Sequence, residues 1–170
     1  MPELGGEIMR CTLQMLLKQP LFKDAKVLAG EKALDNVILR SSVFDCPLKD
    51  SMLANNILSE GDLFISGLDQ FKDDPQRFMD YINVLIDHQC CGLIITDENI
   101  HLLTPEIRAY CSRCALPVIS VERNISYADM INTINGLVVS QYYHALNDEK
   151  ISKLLAKGIS STEKLKMLNS

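Results

Sequence analysis

The chain has 170 residues, with 17 Lys plus Arg against 22 Asp plus Glu and a formal net charge of −5. That acidic balance argues against a protein that coats nucleic acid by itself, and 47% hydrophobic with 23% charged residues excludes a disordered, collagen-like or low-complexity chain. No run approaches the ~18 consecutive apolar residues of a membrane-spanning helix.

Residues 1–11, with Pro2, Gly5 and Gly6, read as a flexible leader. From Thr12, Leu13, Leu16 and Leu17 fall at helical spacing and Pro20 closes a short helix. AKVLAG (25–30) reads as a strand, with Gly30 opening a turn; NVILRSSVFD (36–45) alternates and predicts a second strand, hairpin-paired with the first. Residues 46–60 read as loop plus a helical turn. Asp62 to Ser66 (DLFIS), Gly92 to Thr96 (GLIIT) and Pro117 to Val121 (PVISV) are short apolar runs, and helices are expected after each. Asp74-Pro75 and Thr104-Pro105 pair an N-cap with proline at the first helical position. Ser126 with Asp129 resembles a capping box and starts a helix through about Tyr143. Residues 147–170 predict two short amphipathic linker helices around a break at Gly158.

Strands that alternate with helices and are apolar throughout predict an α/β fold. The sheet is mostly parallel with helices on both faces, a Rossmann-like three-layer arrangement. One domain is expected over 12–146, with 147–170 as a linker. In such sheets ligands settle beyond the carboxyl ends of the strands where connections diverge. The residues there are Ser66 and Gly67, Thr96 and Asp97, and Glu122 and Arg123. Their hydroxyl, carboxylate and guanidinium groups suit a small polar ligand.

Other chemistries find less support. The eight glycines form neither Gly-x-Gly-x-x-Gly nor a P-loop. Six cysteines stand at 11, 46, 90, 91, 111 and 114. Cys111 and Cys114 have C-x2-C spacing, and Cys90 and Cys91 lie one βα unit earlier near His88, but a C-x2-C inside a helix reads as core thiols rather than a zinc knuckle. His88, His101 and His144 lack the context of a nucleophile motif. Asp73 and Asp74 read as helix caps. No catalytic residue, metal or cofactor is expected, and the cysteine usage with no signal-peptide pattern at the start predicts reduced thiols in a cytoplasm.

The order of these elements resembles the N-terminal domain of PucR-type purine catabolism regulators. The resemblance rests on Phe22-Lys23-Asp24-Ala25-Lys26-Val27-Leu28-Ala29-Gly30 and on the strand and turn Gly61-Asp62-Leu63-Phe64-Ile65-Ser66-Gly67. It continues through Gly92-Leu93-Ile94-Ile95, then Leu116-Pro117-Val118-Ile119-Ser120-Val121 and the helix start Tyr127-Ala128-Asp129. It runs over roughly residues 12–145, with Asp62 in place of Glu and Ser66 in place of Thr. It implies the sensory domain of a cytoplasmic transcription regulator with a purine-pathway effector. The chain would work as a homodimer and reach DNA only through a helix-turn-helix not present in these residues. The domain is also similar in fold to the small α/β domains of murein ligases and of kinases with a DRTGG-type module, which carries no activity. A dimerisation module without a ligand, motivated by the leucines of 151–168, is the alternative. An enzyme acting on phosphorylated substrates lacks its motifs, and the lysines of the tail read as those of linker helices rather than of a DNA reader.

Overall fold

The structure, a computed structural model, describes residues 10–46 and 57–156; most of the expected leader (1–11) and of the loop and turn (46–60), and the second linker helix, lie outside them. The elements are α1 (Leu13–Leu17), β1 (Lys26–Ala29), β2 (Arg40–Val43), β3 (Asp62–Ser66), α2 (Pro75–Asp87), β4 (Gly92–Thr96), α3 (Pro105–Arg113), β5 (Val118–Val121) and α4 (Tyr127–Ala156). Every residue of β3, β4 and β5 is buried. A strand sends successive side chains to opposite faces, so a strand buried at every position needs cover on both sides. Leu63, Ile65, Ile94, Ile119 and Val121 pack with Leu13, Leu16, Met130 and Ile134 of α1 and α4. Phe64, Leu93, Ile95 and Val118 pack with Phe78, Tyr81, Ile82 and Leu85 of α2 and with Cys111 of α3. The expected three-layer α/β architecture is present.

The helices begin where the caps predict. Asp74 accepts from Arg77 N–H at 3.4 Å and Thr104 from Ile107 N–H at 3.3 Å, each ahead of a proline. Ser126 Oγ accepts from Asp129 N–H at 3.1 Å and donates to the Asp129 carboxylate at 2.7 Å. α4 then runs unbroken for 30 residues, past Tyr143 and past residue 146.

The sheet order is β1-β5-β4-β3-β2. Strands β2 to β5 are parallel and β1 is antiparallel to β5. The two first strands therefore occupy opposite edges, not a hairpin. Residues 37–39 are held elsewhere. Ile38 N–H donates to Cys11 carbonyl at 2.8 Å, Leu39 N–H to Gly61 carbonyl at 2.9 Å, and Val37 bridges Thr12. The strand proper is then only Arg-Ser-Ser-Val, whose polar, mostly exposed pattern suits a sheet edge. Its register is set by an ion pair: Asp62, 1% exposed, faces Arg40 across the ladder and takes both guanidinium contacts, and it also accepts from Ser59 N–H at 2.7 Å.

Because β3-α2-β4-α3-β5 crosses over one face and α4 returns over the other, the chain leaving β4 and the chain leaving β5 go to opposite sides of the sheet. That divergence opens the carboxyl end between them.

Gly30 closes the β1 edge against the start of β5. Its φ is +71°, and a Cβ there would stand 2.6 Å from Pro117 backbone atoms. Its N–H donates to Ser112 Oγ at 2.9 Å, tying the turn to α3. Gly30→Ala is expected to destabilise by about 2 kcal/mol or more, from left-handed strain plus a backbone clash. Chemical denaturation checks this; an unchanged midpoint would contradict the close approach.

Candidate functional site

The carboxyl end of β3 runs into Ser66-Gly67-Leu68. Ser66 is fully buried, and its hydroxyl donates to Asp45 Oδ1 at 2.8 Å. The same oxygen accepts from Gly67 N–H at 2.9 Å. Leu68 N–H donates back to Ser66 Oγ at 3.1 Å, so the hydroxyl is bonded on both sides. Leu68 adopts φ +61°, unusual for a residue with a Cβ, and its complete burial helps hold it there.

Two further elements close over this turn. Asn99, buried in the turn after β4, donates to Gly67 carbonyl at 2.6 Å and to Asp69 Oδ1 at 2.9 Å. Tyr127, the first residue of α4, lies over Gly67: a Cβ on that glycine would sit 3.0 Å from the phenol oxygen and 3.7 Å from Thr96 Oγ1. The Asp45 carboxylate lies within electrostatic reach of the Tyr127 hydroxyl. Burial first, then the Asp45 carboxylate, push the Tyr127 pKa well up, so the phenol stays neutral. Asp69 is held below the usual carboxylate range by Lys72, which it meets at 2.5 Å, and then by Asn99.

The six residues expected at the strand ends divide into three groups. Ser66, Gly67 and Thr96 come together beneath Tyr127. Asp97 and Arg123 pair beside them, with Arg123 N–H donating to Asp97 Oδ1 at 3.2 Å and its guanidinium to Glu98 Oε1 at 3.4 Å. Glu122 is exposed, and its carbonyl accepts from Ile125 N–H. Asp45, Asn99 and Tyr127 were not anticipated. The signal for Asp45 was its place two residues beyond β2, which mattered only once β2 was known to neighbour β3. The exposed rim carries Asp45, Asp69, Asp97, Glu98 and Glu122 against Lys72 and Arg123. Such a rim favours a ligand that donates hydrogen bonds over one that presents phosphate.

Among the described residues no three His, Cys, Asp or Glu side chains converge as metal ligands. Burial pushes the Cys11 and Cys111 thiols up to about 11 and Cys90 up to about 12, with Cys91 higher still. Cys46 is exposed and Cys114 half-buried. A thiol reagent at about pH 8 is therefore expected to modify Cys46 fast, Cys114 more slowly and the other four only on unfolding. Cys46→Ser should remove the fast phase. The folded state keeps these protons beyond the ordinary thiol value of 9.0. Their stabilisation is thus complete below that pH and is lost as pH rises toward 11–12. Fast labelling of all six thiols in the folded chain would contradict this burial.

A family model described as PucR, purine catabolism regulatory protein-like family, matches residues 15–138. No curated protein matches the chain. Among solved structures, it is similar to the CBS and DRTGG domains of the regulatory region of Clostridium perfringens pyrophosphatase, complexed with the activator diadenosine tetraphosphate. The identity is 19% and the TM-score 0.46, over 75% of this chain and 47% of that one. The chain thus spans less than half of that structure's length.

Proposed function

The chain belongs to the purine catabolism regulatory protein-like family, and from that premise we propose that it is the sensory domain of a cytoplasmic transcription regulator. It senses a small effector, of the purine-pathway class that the family's name suggests, and performs no turnover. DNA is reached through a helix-turn-helix outside these residues. The effector site is the carboxyl-end cluster of Ser66, Gly67 and Thr96, flanked by Asp97, Glu122 and Arg123. The observation that supports this most is the place of the Tyr127 phenol over Gly67, whose N–H is bonded to Asp45. It makes the first residue of α4 part of the cluster, so a ligand that donates to Asp45 beside Tyr127 shifts the base of the helix. α4 has 30 residues and is about 45 Å long, so a small rotation at its base becomes a large displacement at its far end. Binding shifts the balance only if the two poses differ in affinity for the effector.

Calorimetry and melting with free purine bases and their oxidised products test this. At least one is expected to give heat and a raised melting temperature. Asp45→Ala is expected to weaken it at least tenfold, about 1.4 kcal/mol. No heat and no shift with any of them would overturn the sensory reading.

A second reading, a homodimerisation module, is favoured by a specific observation. α4 leaves Val139, Tyr142, Tyr143, Ile151 and Leu155 exposed. Light scattering on the chain with and without residues 147–170 decides it: a dimer that falls to a monomer on truncation supports it, and a monomer in both forms removes it.

A further inference from the structure

At the amino ends of β3, β4 and β5, across the sheet from the Asp45 cluster, lies a cavity of about 670 Å³. That size is typical of small-molecule sites. One wall is the middle of α4, with Val138, Gln141 and Tyr142. The opposite wall is made by the turns that end α2 and α3, at Gln89 to Cys91 and at Cys114 to Leu116.

The two turns are built alike. Gln89 and Ala115 both take φ +55°, Cys90 N–H donates to Leu85 carbonyl at 3.0 Å, and Leu116 N–H donates to Cys111 carbonyl at 2.9 Å. These are Schellman ends made without glycine. Asn36 clamps them together by donating to Cys91 and Ala115 carbonyls, each at 3.1 Å. The wall is therefore preorganised.

Its electrostatics disfavour an anion. The helices present their carboxyl, negative ends to the cavity, and Asp35 and Glu60 at the lining outnumber Arg10. Most of the remaining lining is aliphatic or thiol, from residues such as Leu39, Ile86 and Val138, with Asn36, Gln89, Gln141 and Tyr142 adding polar groups.

Gln141 carries the inference. It is 9% exposed, it borders the cavity, and its Oε1 has no hydrogen-bond partner among the described residues. A buried unpaired acceptor is unfavourable, and rotation of the terminal amide about its soft last torsion turns the oxygen to the cavity. We propose that this cavity binds a small, uncharged, largely apolar molecule that donates an N–H or O–H to Gln141 Oε1. The site is separate from the carboxyl-end cluster and does not depend on an effector binding there.

Titration of the full chain with indole and with 1-methylindole, which differ in the donor, tests it. Indole is expected to bind several-fold tighter than its methylated analogue, and indole-3-acetate weaker than indole. Gln141→Leu should level indole and 1-methylindole. Ala145→Trp, which fills the cavity from α4, should abolish both, with circular dichroism reporting that the variants fold. If Ala145→Trp does not fold, the Gln141→Leu comparison decides. No binding of indole, equal affinity for the methylated analogue in the unmodified chain, or a donor preference that survives Gln141→Leu would overturn the proposal.

Discussion

The carboxylate of Asp45 stands where three chain segments meet at the carboxyl edge of the sheet. It follows β2, it accepts from the Ser66 hydroxyl and Gly67 N–H at the end of β3, and it lies within electrostatic reach of the Tyr127 hydroxyl at the start of α4. Hydrogen bonds to an ionised acceptor are roughly twice as strong as neutral ones. Leaving a buried hydroxyl or N–H unpaired costs about 1–3 kcal/mol for each group. The left-handed Leu68 and the close approach of Tyr127 to Gly67 both belong to a turn held by this carboxylate together with Asn99.

The sheet supplies the rest of the constraint. Strands buried on both faces need helices on both, and among the described helices α1 and α4 pack on the face opposite α2 and α3. α4 therefore crosses the whole domain. Tyr127 lies at the carboxyl ends and Gln141 at the amino ends, about 21 Å apart along the helix. One rigid element borders both the cluster and the cavity. That is a physical link between two places where a ligand can act, and its operation requires two poses of the helix that each site biases differently.

Much of this was legible in residue order. The apolar runs at 62–66, 92–96 and 118–121, and the caps at Asp74, Thr104 and Ser126, rest on local chemistry and were read directly. Strand order does not rest on local chemistry. Alternation made 36–45 look like a hairpin partner for 25–30, whereas Arg40 pairs with Asp62 and Lys26 with Ser120, contacts spanning 22 and 94 positions. Asp45 stayed hidden for the same reason. The turns at Gln89 and Ala115 gave no glycine signal, because bonds to the preceding helix and the Asn36 clamp hold them. α4 outlasts its expected end because no proline interrupts it, and Gly136 sits in open space where its missing side chain removes no contact. Of the six strand-end residues, three converge, two pair beside them and Glu122 stands apart, a division that depends on which way each connection leaves the sheet.

The central claim is that one carboxylate couples the β3 turn to the base of α4. Hydrogen exchange, followed residue by residue in the unmodified chain and in Asp45→Ala, tests it most directly. Protection should fall together at residues 66–68 and 127–134 while β5 keeps its own. A β3 turn that loosens while the first turns of α4 stay as protected as before would show the two to be independent, and would contradict the account.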